Sequence, residues 1–412
     1  MNRTASRFGR AAAFALAGSL AIGMSGCAAP APAPAPAEPG AEAPAEPYKV
    51  GLLLGLTGIY SGLGELQRQA IELYMNDVNE AGGINGREVE LVVIDSTSDE
   101  ANAVNQYRKL ATEDEVDVVI GPSSSGESIA LRPISGQMMT PVISLGASQN
   151  IVTPAAESAY MFKVFNDTTL AVQAQMEYIV DQGWEKIAVL SVNNGYGQDG
   201  AKNVAALAGE YGLELVAEEV FEGTATDVAP QLTTIAAEDP DVLLVWAVNP
   251  ANAVVAKSAE AIDFQPVQFH SAGAGSPVFI ETAGTAAEGV VLQGSKVLAF
   301  EQMSEDDPQY EVTADFVERF SAEYGFAPGQ YESSAWDASG LLVAALEKID
   351  PSITDLQETR DAIREVLENE TVEFIGVNGI FTFTPEYHGQ SGLDGLAALR
   401  VEDGQFIVEA TY

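Results

Sequence analysis

Short apolar runs recur along this chain, separated by longer stretches in which apolar residues return every third or fourth position. The runs Val50–Leu56, Val89–Asp95, Val116–Gly121, Val142–Gly146, Ile187–Val192 and Val242–Val248 are too short for core helices. Their near-continuous apolar character predicts strands buried on both faces. The stretches Leu66–Ala81, Asn102–Thr112 and Leu170–Gln182 carry the helical period. Gly82-Gly83 supplies a stop after the first, and Asp227 supplies a cap before Val228–Ala237. Strands alternating with helices specify parallel sheets covered on both faces, an α/β chain. Two such units follow one another, one before about Val164 and one after Asn166. Three more helices, near Val312–Tyr324, Ser334–Lys348 and Asp355–Leu367, and then short strands, complete the pattern.

The first 47 residues follow no such period. Arg3, Arg7 and Arg10 precede an apolar stretch from Ala11 to Met24, followed by Ser25, Gly26 and Cys27. A basic start, a short apolar run and small residues form a secretory signal over 1–26. The tetrad Met24-Ser25-Gly26-Cys27 resembles the lipobox of bacterial lipoproteins, with Met24 where Leu is commoner. That resemblance implies cleavage before Cys27 and acylation of its thiol; the plainer reading is a free thiol in a discarded peptide. Cys27 is the only cysteine among 412 residues, which excludes an internal disulfide and a cysteine-ligated metal. From Ala28 to Pro47, Pro and Ala alternate. This composition favours an extended spacer over 27–47, reaching up to about 60 Å at ~3.1 Å per residue.

Charge narrows the partners. The chain carries 19 basic and 60 acidic residues, a formal net charge of −41. With no basic stripe, nucleic acid and anionic membrane surfaces are excluded as partners. In open parallel sheets, ligands bind beyond the carboxyl ends of the strands. The loops there are small, polar and glycine-rich: Thr57 to Gly64, Gly121 to Ser128, Gly146 to Asn150, Asn193 to Gly197, Asn249-Pro250, and His270 to Ala274. Ser125 and Gly126 open a helix, where unpaired N–H groups and the dipole suit a carboxylate. Ser124 or Ser125 serves equally as a helix cap, and the two roles are compatible. Tyr196, between glycines, is either a wall of a cleft or a half-buried loop aromatic.

At these loops the chain resembles the type I periplasmic binding proteins of the leucine/isoleucine/valine-binding kind. The ordered segments YKVGLLLGLTG, NEAGGINGREVELVVID, VVIGPSSSGES, TPVISLGAS, NNGYGQDGAKNV, TDVAPQLTTI, DPDVLLVWA and TAAEGVV carry the resemblance. It implies two doubly wound parallel-sheet lobes joined by a three-crossover hinge and closing on a ligand. The crossovers would fall near Val164–Asn166, Leu292–Ser295 and Phe383–Pro385. Lobe 1 would then be 48–165 plus 295–384, and lobe 2 166–294 plus 385–412. Carried over residue by residue, Ser125 matches the family's carboxylate-binding serine. Gly146, Ala147 and Ser148 match the segment after the fourth strand, and Tyr196 matches the second-lobe tyrosine. Three positions depart: Leu63 and Val248 or Asn249 stand where aromatics are common, and Gly273 stands where an acid holds the ligand ammonium.

A buried ammonium without a carboxylate is costly, so the loss at Gly273 argues against an α-amino acid. The stretches HSAGAGSP, FKVFND and TFTPEYHGQSGLD resemble a subgroup that takes up aromatic and related organic acids, which would turn His270 toward the ligand. Otherwise His270 is a satisfied histidine at a strand end. His388 reads as structural. The partners implied are a small carboxylate ligand and the permease subunits of an ABC importer. The chain would be a monomer touching the membrane only through lipidated Cys27, and neither cofactor nor metal is implied. An enzyme is disfavoured by two separated histidines and the lack of nucleophile-elbow, phosphate-loop and zinc motifs. A sensing role beside a receptor stays open, since one fold serves both. Replacing Cys27 by Ala is expected to move the mature protein from the membrane to the soluble fraction. A variant as firmly membrane-bound as the parent refutes the lipobox.

Overall fold

The structure, a computed structural model, describes residues 46–412. The signal over 1–26, Cys27 and nearly all of the spacer lie outside the described residues. From the amino end come β1 (Tyr48–Leu54), α1 (Ser61–Glu80), β2 (Val89–Asp95), α2 (Glu100–Thr112), β3 (Val118–Ile120), α3 (Ser125–Met138), β4 (Val142–Ser144) and β5 (Met161–Lys163). Next come α4 (Thr168–Asp181), β6 (Lys186–Val192), α5 (Gly195–Leu207), β7 (Glu214–Phe221), α6 (Ala229–Ala236) and β8 (Val242–Trp246). They are followed by α7 (Ala251–Ala261), β9 (Val267–His270), α8 (Pro277–Ala283) and β10 (Val291–Ser295). The chain ends with α9 (Tyr310–Tyr324), α10 (Gln330–Lys348), α11 (Leu356–Glu370), β11 (Phe374–Ile375), β12 (Ile380–Phe381), β13 (Leu396–Glu402) and β14 (Gln405–Thr411).

These elements build two sheets. One has the order β2-β1-β3-β4-β5 and is parallel throughout. The other has the order β14-β13-β10-β9-β8-β6-β7 and is parallel from β7 to β10. Its far edge is an antiparallel pair, β13 and β14, which the expectation of wholly parallel lobes lacked. The strand order reverses at β1/β3 and at β6/β8, and crevices form beyond the carboxyl ends of such pairs. Alternation along the strands fills a core on either face. In the second lobe Val189, Leu244 and Trp246 face α4 and α5, while Leu190, Leu243 and Val245 face α6 and α7. In the first, Leu52, Val118 and Ile120 meet Phe316, Trp336 and Leu342, and Tyr107, Val119 and Leu131 fill the other side.

The segments joining the lobes are polar and buried. Lys163 is fully enclosed, donates to the Phe165 carbonyl at 2.8 Å and lies 3.7 Å from the Asp167 carboxylate. Burial pushes its pKa down, against the pull of Asp167 and Asp199. The Ser295 amide at the second crossover donates to Gln330 Oε1 at 3.0 Å. The third crossover is later than Phe383–Pro385. Phe383 lies in the first lobe's core, and the imidazole of His388 stacks on Phe162 at 4.3 Å. The Lys163 amide also donates to the His388 carbonyl at 3.0 Å. The chain therefore passes over between His388 and Leu396, where β13 joins the second sheet.

Helix α10 begins against the second lobe: Tyr331 belongs to that lobe's core cluster, and the Gln330 amide donates to the Gly275 carbonyl at 3.2 Å. One residue on, Glu332 is 1% exposed, and its Oε2 has no partner among the described residues. Burial raises its pKa from the ordinary 4.5 to about 7, with the amides of Glu332 and Gly329 opposing the shift. A carboxyl whose folded pKa lies above its unfolded value favours folding fully below that unfolded value. Its contribution fades as pH rises through the folded one. Glu332→Gln is thus expected to gain stability over the parent between pH 4.5 and 7, about 3 kcal/mol in all, and no further above. Urea denaturation at stepped pH reads this, and a difference constant across that window refutes it.

Candidate ligand-binding cleft

The reversal points of the two sheets face each other across a small cavity. The start of α3 forms one wall. Ser124, in extended conformation (φ −115°, ψ 156°), is its N-cap. Its hydroxyl accepts from the Glu127 amide at 3.3 Å and donates to Glu127 Oε2 at 2.6 Å, a reciprocal cap built on one hydroxyl. Ser125 is thereby released from capping. Its Oγ accepts from the Ala147 and Ser148 amides, each at 3.1 Å. With both lone pairs engaged, the hydroxyl acts only as a donor, and its hydrogen finds no acceptor among the described residues. Gly146 permits this approach, because a Cβ there would press on the Ser125 backbone and on Ile151.

The start of α5 forms the opposite wall. Asn194 caps it, accepting from the Tyr196 and Gly197 amides at 3.1 and 3.0 Å. Its Nδ2 donates to Tyr60 Oη at 3.1 Å, a direct bond between the lobes. A Cβ on Gly195 would lie 3.2 Å from Gly126 Cα, so the two helix starts nearly touch. Two positive dipole ends and their free amides converge on one space, an arrangement that favours an anion. Leu63, Leu145, Phe165, Val248 and Tyr331 supply an apolar lining. Among the described residues, no charged side chain lines this cavity. The phenols stay protonated: burial, reinforced by Glu127, pushes Tyr60 up to about 12, and burial raises Tyr196 and Tyr331 further.

Of the expected site residues, Leu63, Ser125, Gly146, Ala147, Tyr196 and Gly273 line this cavity. Ser148, Asn249 and His270 do not. The Ser148 hydroxyl points away, donating at 2.6 Å to Asp199 of α5. Its contribution is the amide on Ser125. Asp199 also accepts from Thr168 Oγ1 at 2.5 Å, Asn150 Nδ2 at 2.9 Å and the Gln149 amide at 3.2 Å. Asn249 borders a neighbouring cavity instead. His270 turns inward: it is fully buried, with Nδ1 3.0 Å from Asn252 Oδ1 and Nε2 3.2 Å from Gln268 Oε1. Burial lowers its pKa to about 3 and keeps it neutral. It is a satisfied core histidine.

Gly273 has a steric cause. A Cβ there would overlap the Ala247 carbonyl, so no side chain, acidic or otherwise, fits. Its own carbonyl accepts from the Tyr331 hydroxyl at 2.6 Å. Tyr60 and Tyr331 were not among the expected residues. Tyr60 sits inside the Thr57–Gly64 loop singled out by position, whereas Tyr331 lies in an ordinary helical period with no local signal. Gly273→Ala is expected to destabilise the protein by about 1–3 kcal/mol through overpacking. Gly62→Ala, where a Cβ meets nothing within 4 Å, is expected to be neutral or slightly stabilising. Equal melting temperatures for the two variants refute the steric reading.

Residues 47–405 match the family model described as periplasmic binding protein. The Leu/Ile/Val-binding protein homolog 7 of Brucella abortus (strain 2308) is 23% identical over 319 residues, covering 75% of this chain and 79% of that protein. An extracellular ligand-binding receptor from Rhodopseudomonas palustris HaA2 superposes with a TM-score of 0.81 at 26% identity, covering 88% of this chain and 99% of the other. The isoleucine-bound substrate-binding protein of a branched-chain amino acid transporter from Streptococcus pneumoniae shares the fold, with a TM-score of 0.75 at 21% identity. That match covers 88% of this chain and 98% of the other. Two sheets reversing toward a common cleft and a family match over nearly the whole described chain agree: the protein belongs to the periplasmic binding protein family, in its type I, Leu/Ile/Val-binding-like form.

Proposed function

We propose that this chain is the extracytoplasmic solute-binding component of an ABC-type importer and captures a small organic acid, aromatic in preference to a branched-chain amino acid. The observation that carries the reading is the donor-only hydroxyl of Ser125 in a cavity whose walls hold no carboxylate. A carboxylate accepts from Ser125 and from the free amides at the starts of α3 and α5. An ammonium placed there has phenols and carbonyls but no counter-charge, and its desolvation goes uncompensated. Phe165, Tyr196, Tyr331 and Leu63 suit a flat apolar body, since aromatic faces pack well in offset or edge arrangements.

The delivery route follows from the same reading. Lipidated Cys27 and the Pro/Ala spacer hold a monomer near the membrane, where it presents the closed, loaded form to permease subunits. A sensing partner would use the same closure. A hydrogen bond to a charged group contributes about 1.5–3 kcal/mol, so Ser125→Ala is expected to weaken acid binding roughly ten- to a hundredfold. Calorimetry with benzoates, cinnamates, leucine, isoleucine and valine decides the class. Tight leucine binding with no response to any aromatic acid overturns the proposal.

A further inference from the structure

A second, larger cavity adjoins the first and shares Leu63 and Tyr331 with it. The first lobe contributes Gly58, Ser61 and Leu66 to its wall, and the second contributes Asn249, Ser276 and Val278. Ile59 and Val278, 44% and 42% exposed, stand on opposite lips. The amide of Asn249 is the unusual group. Both its nitrogen and its oxygen are shielded from solvent, and neither has a hydrogen-bond partner among the described residues. Its backbone is fixed, with the Asn249 amide donating to the Gly273 carbonyl at 3.2 Å, the carbonyl that also receives the Tyr331 hydroxyl.

Asn249 follows β8 on the face that the second lobe presents to the first. In the structure described, its amide is shielded from solvent and no partner among the described residues takes the place of water. An amide stripped of water without a new partner opposes closure. We infer that Asn249 is a specificity-determining residue: closure favours an elongated acid whose end remote from the carboxylate carries a neutral hydrogen-bonding group, such as a hydroxyl. The amide offers one acceptor and two donors, so a hydroxyl at that end pairs with it. No basic residue lines the second cavity, so a second carboxylate finds no counter-charge there. A purely apolar end leaves the amide unpaired. Sites built to hydrogen-bond a substrate hydroxyl discriminate strongly against analogues lacking it.

This inference rests on the carboxylate reading of the first cavity, and the test separates the two. Calorimetry compares benzoate with 4-hydroxybenzoate and cinnamate with 4-hydroxycinnamate, which differ in reach. In the parent protein at least one hydroxylated acid is expected to bind tenfold or more tightly than its bare counterpart. Asn249→Ala is expected to bring that ratio to within about threefold of one. Asn249→Asp, similar in size, is expected to turn the preference toward 4-(aminomethyl)benzoate, a shift that a merely structural role would not produce. Acids that bind without discrimination in the parent, or a ratio unchanged in both variants, overturn the role of Asn249 and leave the carboxylate reading standing. If no acid binds at all, the carboxylate reading falls and this one with it.

Discussion

The cleft depends on which of two adjacent serines caps α3. Ser124 takes the cap together with Glu127, and Ser125 is left to organise the loop after β4. That loop is then held from its other side. Ser148 gives its amide to Ser125 and its hydroxyl to Asp199, and Asp199 sits on α5, whose first turn is the opposite wall. The donor aimed at the ligand is thus tied, through two hydrogen bonds, to the second lobe. Under the carboxylate proposal, closing the lobes and assembling the anion site are one event. Asp199, 6% exposed, has its carboxylate oxygens satisfied by five donors.

The proposed capture of an anion by so acidic a protein demands a local solution. The net charge of −41 acts over long range and is shortened by salt to about 8 Å at physiological ionic strength. The amides of two helix starts and the Ser125 hydroxyl act at contact, where screening by ions is weak. No acidic side chain lines the cavity itself. Glu127, in the first turn of α3, is turned onto the Ser124 hydroxyl, and burial with the neighbouring Glu100 raises its pKa, easing it toward the neutral form. Contact donors therefore outweigh the distant field.

Much of this was legible in the residues. The apolar runs lie on β1, β2, β3, β4, β6 and β8, and the loops after them hold Leu63, Ser125, Gly146, Ala147 and Tyr196 at one cavity. Strand β7 escaped because it is an edge: Glu214, Glu218 and Val220 face solvent, so no apolar run marks it. His270 misled because the end of a strand on the cleft side does not fix which way a ring turns, and Asn252 drew it inward. Tyr331 could not be found locally. It reaches the cleft only because α10 starts against the other lobe, a fact of tertiary packing rather than of period. The third crossover was displaced by Phe162, whose stacking with His388 holds the chain in the first lobe beyond the expected point.

The near contact of Gly126 and Gly195 across the cleft has a mechanical meaning. Two backbones without side chains meet there, so they set how far the jaws can travel before they touch. Such a stop fixes the height of the chamber behind it without spending any contact on the guest. A bulkier residue at Gly195 would press on Gly126 and Ile129 and act as a wedge, leaving the jaws ajar and the captive in contact with bulk water. The gauge of what this protein can enclose is therefore written as much in the side chain that Gly195 lacks as in the groups that touch the cargo.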